Sequence, residues 1–211
     1  MTFQFKQFSV KQAQSAMKIG TDSVLLGAWT PIEQPQSILD IGAGTGLLAL
    51  MLAQRSDAMT IDAVEIDEHA YIECTENFEA SPWGDRLFCY HASFEEFFTE
   101  MDETYDLIIS NPPFYPTDYK TPEKARNTAR FSDALPPKQL LEGVNRLLAV
   151  EGKFSVILPY TESERFITLA ATFGLFPQQI THTRGNAQSE LKRSMMLFAR
   201  SPHPSYPTQI L

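Results

Sequence analysis

Between residues 37 and 173 short apolar runs alternate with longer amphipathic segments, and this alternation constrains the fold more than any other feature of the chain. Ser37–Ile41 (SILDI), Thr60–Glu65 (TIDAVE), Arg86–His91, Tyr105–Ser110 (YDLIIS) and Lys153–Leu158 read as strands. Their apolar character and short length are those of buried strands. Helical patterns fill the intervals: Gly46–Arg55, Glu68–Glu79 with Ala70, Ile72 and Phe78 as apolar positions, Ser93–Glu100, Pro136–Ala149 and Glu162–Phe173. Ser93 followed by Glu96 forms a capping-box pattern. A Glu151-Gly152 turn precedes the fifth strand, and Phe176–His182 with Ser194–Arg200 predicts a final strand pair. Strand and helix in strict alternation predict a doubly wound α/β fold with a mostly parallel sheet. Ligands of such sheets bind beyond the carboxyl ends of the strands. Four strand ends therefore matter: the loop Gly42–Gly46, Glu65, the run His91–Ser93, and Asn111-Pro112-Pro113-Phe114.

Composition removes several classes. The chain has 211 residues, 43% of them hydrophobic, which suits one ordinary domain spanning residues 1–211 and is too apolar for a disordered chain. The run Leu47–Ala53 is the longest apolar stretch, far below the roughly 20 residues that span a bilayer. The opening MTFQFKQFSVKQ is not a secretory signal. Cys74 and Cys89 make no disulfide framework, and no Cys/His cluster has metal spacing. The expectation is a cytoplasmic protein with reduced thiols and no metal, its oligomeric state open with a monomer favoured. The net charge of −9 argues at first against nucleic acid, but it is unevenly distributed. Residues 31–110 hold 17 acids against Arg55 and Arg86, whereas residues 111–211 hold 12 bases against 8 acids.

Asp40-Ile-Gly-Ala-Gly-Thr-Gly46 joins the first strand to a helix. Gly42, Gly44 and Gly46 allow a tight turn and close backbone approach to a ligand. A dinucleotide fingerprint would need glycine or alanine where Leu47 stands. The G-x-G-x-G spacing instead suits adenosine with a small, phosphate-free tail, and Glu65 stands at the end of the next strand, where an acid can grip ribose hydroxyls. Asp40 reads either as part of that site or as a solvated or capping acid; Asp67 reads as an N-cap.

The stretch Asp106–Tyr115 (DLIISNPPFY) runs a strand straight into Asn and two prolines. Proline fixes the backbone and removes N–H donors. The Asn111 side-chain carbonyl and the Pro112 main-chain carbonyl can then accept from both hydrogens of one planar amino group, with Phe114 offering a flat face. An exocyclic amine conjugated to a ring is a poor nucleophile. Two acceptors favour its nitrogen moving toward sp³, with the lone pair aimed at an electrophilic methyl group. No strong general base is needed, because the methylated nitrogen becomes acidic.

Together these residues resemble a class I S-adenosylmethionine-dependent methyltransferase: LDIGAGTG matches the first motif of that superfamily, VEID the ribose motif, and NPPF the [DNS]-P-P-[FYW] motif of amino-group methylation. The leader, Phe5–Val10 (FKQFSV) with Met17–Trp29 (MKIGTDSVLLGAW), is similar to that of the bacterial tRNA(Val) adenine-N6 methyltransferases, which modify the adenine just 3′ of the anticodon. The resemblance implies a seven-stranded, Rossmann-like sheet with an antiparallel C-terminal strand and S-adenosylmethionine as cofactor. By the same resemblance the leader, residues 1–30, covers the methionine end of the cofactor, so Lys18, Gly20, Thr21 and Asp22 are candidate contacts. Asp40, Gly42, Gly44 and Gly46 flank the methionine moiety, Glu65 takes the ribose, Ala92 and Ser93 lie by the adenine, and Asn111 meets both cofactor and substrate. The superfamily more often has an acid at the adenine position, so a backbone N–H or the Ser93 hydroxyl would serve there, unless Ser93 only caps its helix. For the leader itself, the alternative is an edge hairpin and a packing helix.

Residues 114–135 form a long polar segment carrying Lys120, Lys124, Arg126 and Arg130, interleaved with Tyr115, Tyr119 and Phe131. Cations and exposed rings are what single-stranded RNA recognition uses, and a segment of this length in a compact fold is usually functional or disordered. It is the expected contact with a tRNA anticodon loop. His182, Arg184, Lys192 and Arg193, between the last strands, are a second basic group. Competing readings are methylation of a protein glutamine amide, methylation of guanine N2 in rRNA, a dinucleotide oxidoreductase, which Leu47 disfavours, and an RNA-binding module without catalysis.

Overall fold

A computed structural model describes residues 2–13, 15, 18–113 and 135–211. A short antiparallel hairpin, β1 (Thr2–Gln4) and β2 (Ser9–Lys11), opens the chain and is followed by α1 (Thr21–Trp29). Then come β3 (Ser37–Ile41), α2 (Leu47–Arg55), β4 (Thr60–Glu65), α3 (Glu68–Glu79), β5 (Leu87–His91), α4 (Phe94–Glu100) and β6 (Tyr105–Ser110). The chain continues through α5 (Pro137–Leu147), β7 (Leu148–Pro159), a 3-10 turn at Tyr160–Glu162, α6 (Ser163–Thr172), β8 (Phe176–Thr183), β9 (Arg193–Ala199) and β10 (Thr208–Ile210).

The main sheet has the order β10-β8-β9-β7-β6-β3-β4-β5, and only β9 runs antiparallel to its neighbours. The expected doubly wound, mostly parallel architecture with its antiparallel C-terminal strand is therefore present. The strand order reverses at β3, which pairs with β4 on one side and β6 on the other; a crevice at such a reversal is where open α/β sheets bind ligands. Both faces are covered. Leu26 of α1, Leu48 and Leu52 of α2 and Cys74 and Phe78 of α3 pack on Ile38, Ile61 and Ile109. Phe94 and Phe98 of α4, Leu140 and Val144 of α5 and Phe166 of α6 pack on Leu39, Ile108 and Phe154 opposite. Burial on both faces explains why β3 and β6 read as continuous apolar runs rather than alternating ones. Among the described residues no helix is long and apolar enough to cross a membrane.

Four local expectations are corrected. The sheet has eight strands rather than seven: β10, three exposed residues, adds to the β8 edge with its register at Thr208↔Ile180. It follows Pro204 and Pro207 and lacks any apolar pattern, so nothing local announces it. The helix predicted to Ala149 ends at Leu147, and β7 starts at once. The Glu151-Gly152 turn is an irregularity within that strand, where a Cβ on Gly152 would lie 2.9 Å from the Tyr105 carbonyl oxygen. In α3 the buried face is Ala70, Glu73, Cys74, Asn77 and Phe78, whereas Ile72 is exposed. Two polar side chains occupy positions that an amphipathic pattern assigns to solvent.

Candidate active site

The register sets the site. Ile41 of β3 lies beside Ser110 of β6 and Val64 of β4, so the glycine loop, Asn111 and Glu65 leave the sheet side by side. The Ser110 hydroxyl donates to the Ile41 carbonyl at 2.9 Å and ties the two strand ends together. The glycine loop then folds over the end of β4: the Gly42 and Ala43 N–H groups donate to the Val64 carbonyl, and the Gly44 N–H donates to Glu65 Oε2 at 2.7 Å. Glu65 Oε1 accepts from the Asp67 N–H at 2.9 Å. Glu65 is thus a buried carboxylate held on both oxygens by main chain. Burial pushes its pKa up, its backbone hydrogen bonds pull it down, and Asp67 nearby pushes it up.

The three loop glycines have different causes. All have positive φ (70°, 56° and 78°), where side chains are disfavoured. A Cβ at Gly42 or Gly44 would meet nothing within 4 Å, so both border open space. A Cβ at Gly46 would lie 2.5 Å from the Phe78 ring and 2.8 Å from Cys74 Sγ. Gly46 therefore lets α2 start tight against α3, and its N–H closes the turn on the Ala43 carbonyl at 2.9 Å. Packing against Phe78 and Cys74 thus accounts for the missing side chain at Gly46.

Asp40 is fully buried, which corrects the solvated alternative. Its Oδ2 accepts from the Ala49 N–H in the first turn of α2 at 3.1 Å, while Oδ1 has no hydrogen-bond partner among the described residues. Burial raises its pKa to about 7; the Ala49 bond lowers it, and the Glu65 charge raises it. Cys74, also buried behind the loop, has its thiol pKa pushed well up by burial and by Cys89; both cysteines are free.

On the adenine side the expected donors are already engaged. Ala92 N–H donates to the Glu65 carbonyl at 3.2 Å. Ser93 N–H and O–H both donate to Glu96 Oε2, and Ser93 Oγ accepts from the Glu96 N–H, a complete capping box. Ser93 is thus the helix cap of its alternative reading. Ile66, a large apolar side chain left 45% exposed directly after Glu65, borders this region and was not singled out by sequence.

The leader forms the hairpin and helix of its plainer reading, and α3 grips it. The buried Glu73 accepts from Ser15 N–H at 2.8 Å, from the Ser15 hydroxyl and from the Ala13 N–H. Asn77 bonds both the N–H and the carbonyl of Lys11 and also the Thr45 carbonyl in the glycine loop. The leader and the loop therefore share one anchor. Lys18 Nζ donates to the carbonyls of Gln12, Ala13 and Ser15, and Asp22 pairs with Arg193 at 2.7 Å. Both side chains are thus bound within the protein, and Thr21 stands exposed at the start of α1.

Asn111 and Pro113 are half-buried and Pro112 is buried. Asn111 Nδ2 donates to Ser23 Oγ of α1 at 2.8 Å. Phe114, Tyr115, Lys120, Lys124, Arg126 and Arg130 lie outside the described residues. Among the described residues no three His, Cys, Asp or Glu side chains are grouped to hold a metal.

A family model described as "Methyltransferase small domain" matches residues 9–173. A protein of Flavobacterium psychrophilum, named tRNA1(Val) (adenine(37)-N6)-methyltransferase, is 60% identical over 94% of this chain and 86% of its own. The chain belongs to this methyltransferase family. A relative of the same name from Photorhabdus laumondii is 42% identical over 94% of this chain and 82% of its own. The solved structure of a methyltransferase from Pyrococcus furiosus superposes with a TM-score of 0.61, at 19% identity, over 85% of this chain and 82% of that one; at that identity it speaks for the fold alone. The family's cofactor is S-adenosylmethionine, and the crevice fits it. Two glycines border open space, and the carboxylates of Glu65 and Asp40, the latter with one oxygen unpartnered among the described residues, suit a cationic ligand bearing a ribose.

Proposed function

We propose that this methyltransferase acts on the N6 amino group of adenine 37 in tRNA1(Val), the activity named for its relatives. The observation that carries the reading is the side-by-side exit of Asn111-Pro112 and the Gly42–Gly44 loop from register-paired strands. S-adenosylmethionine supplies an electrophilic methyl group when bound. Glu65 is placed to take ribose hydroxyls on the lone pairs its two main-chain bonds leave over. Gly42 and Gly44 give room for close approach, Asp40 offsets positive charge, Thr21 at the exposed start of α1 is the leader's contact, and Ala92 with Ile66 offers an apolar wall rather than donors. Asn111 Oδ1 and the Pro112 carbonyl are the two acceptors for the adenine amine, and Phe114 stacks on the base.

The remaining assignments rest on sequence. Tyr115, Lys120, Lys124, Arg126 and Arg130, in the substrate segment 114–135, meet the anticodon loop by phosphate contact and stacking. Exposed Arg184 and Lys192 flank the link between β8 and β9 and are a second candidate contact, near the point where the Tyr160 ring meets His182 edge-on at 4.9 Å. Residues 1–211 act as one methyltransferase domain, monomeric and cytoplasmic. An unpaired loop base leaves its stack at a cost on the order of a few kcal/mol.

The test is incubation with labelled S-adenosylmethionine and separate pools of tRNA, rRNA and protein from a strain lacking the enzyme, followed by nucleoside and amino-acid analysis. Labelled N6-methyladenosine is expected. Label found only in N2-methylguanosine of rRNA, or in protein glutamine, would move the activity to a competing substrate.

A further inference from the structure

We infer that Ser23 is a positioning residue that holds the Asn111 amide in place with Oδ1 free for the substrate; this rests on the function proposed above. A side-chain amide has one acceptor end and one donor end. Only the oxygen can accept from an incoming amino group. The nitrogen in its place would set two donors against each other. The Ser23 hydroxyl accepts from Asn111 Nδ2 at 2.8 Å, which turns the nitrogen toward α1 and leaves Oδ1 without a partner among the described residues. No residue of Asn111's own strand performs this task.

Ser23 can act as a fixed point because α1 is pinned along its length. Asp22 pairs with Arg193 of β9 at 2.7 Å. Trp29 Nε1 donates to Thr181 Oγ1 at 2.9 Å, and the Thr30 and Ser155 hydroxyls meet at 2.7 Å. Leu26 and Gly27 are buried, Gly27 so close to α2 that a Cβ would lie 2.7 Å from Met51 Sδ. With the amine donating to Oδ1 and Nδ2 donating to Ser23, the two bonds run in one direction through the amide. Hydrogen bonds in such a chain polarise one another. The carbonyl is strengthened as an acceptor while positive charge grows on the attacking nitrogen.

The test measures single-turnover rates at saturating tRNA, with S-adenosylmethionine affinity by calorimetry. Ser23→Ala should slow the single-turnover step by about tenfold and leave cofactor affinity within about threefold. Ser23→Thr, which keeps the hydroxyl, should restore most of the rate. Unchanged rates in Ser23→Ala, no recovery in Ser23→Thr, or a loss of cofactor affinity parallel to the rate would each overturn the inference. A wild-type protein that methylates no tRNA would instead remove the function on which it rests.

Discussion

The cofactor corner and the acceptor corner of this crevice lie on adjacent strands but are built by different means. The glycine loop and Glu65 are held by main chain: Gly42, Ala43, Gly44, Asp67 and Ala92 all donate into the end of β4. That corner is over-determined, and most of its bonds lie within 30 residues of sequence. Asn111 is oriented by one hydroxyl from a helix 88 residues away. The first corner should tolerate loss of a single side chain in shape while losing affinity. The second should lose rate while keeping its ligand.

The largest effect expected from this contrast is at Asn111. Asn111→Ala should lower the methylation rate by about 100- to 1,000-fold, the scale for removing one placed polar group that meets developing charge. Calorimetry with S-adenosylmethionine should show near-normal affinity, and a parallel collapse of binding would erase the distinction between the corners. Next is Glu65→Gln, which keeps one acceptor oxygen where two main-chain donors need partners. Cofactor affinity should fall by about 10- to 100-fold, the range for a hydrogen bond to a charged group, with the rate at saturation much less affected.

Asp40 gives a prediction in pH. Its pKa rises from 3.8 to about 7 on folding, so the folded state holds a proton that the unfolded state has lost between those values. This contribution favours the fold fully below pH 4 and is lost as pH rises toward and through about 7. Asp40→Asn removes the buried charge, so urea unfolding should show a gain of up to about 4 kcal/mol at pH 8, shrinking at pH 4.5. The same variant should bind S-adenosylmethionine more weakly. A stability difference independent of pH would contradict the buried-charge account. The smallest effect is expected in the substrate segment: charge reversal at Lys124 and Arg126 should raise the KM for tRNA several-fold and flatten its salt dependence. Unchanged kinetics would move the RNA contact to Arg184 and Lys192.

What was legible in the sequence follows the same division. The strand pattern, Asp40–Gly46, Glu65 and Asn111-Pro112 are local signals, because each follows its own strand directly. The packing of Gly46 against Phe78 and Cys74 is not legible, because they lie some 30 residues downstream and their closeness is a tertiary fact. Glu73 and Asn77 looked like two more polar residues of a solvated helix, yet they bury themselves against leader backbone that no amphipathic pattern reveals. Ser23 sits inside the leader motif that pointed to the family, but its partner is set only by how α1 crosses the end of β6. The edge strand β10 has no side-chain pattern to read, since its pairing is wholly main chain.

The most direct test uses two transcripts of unmodified tRNA1(Val), one native and one with adenine 37 replaced by guanine, each incubated with the enzyme and labelled S-adenosylmethionine. One methyl group per native tRNA, recovered as N6-methyladenosine, and none in the substituted transcript is the predicted result. Equal incorporation into both would contradict adenine 37 as the acceptor, whatever the cofactor corner binds.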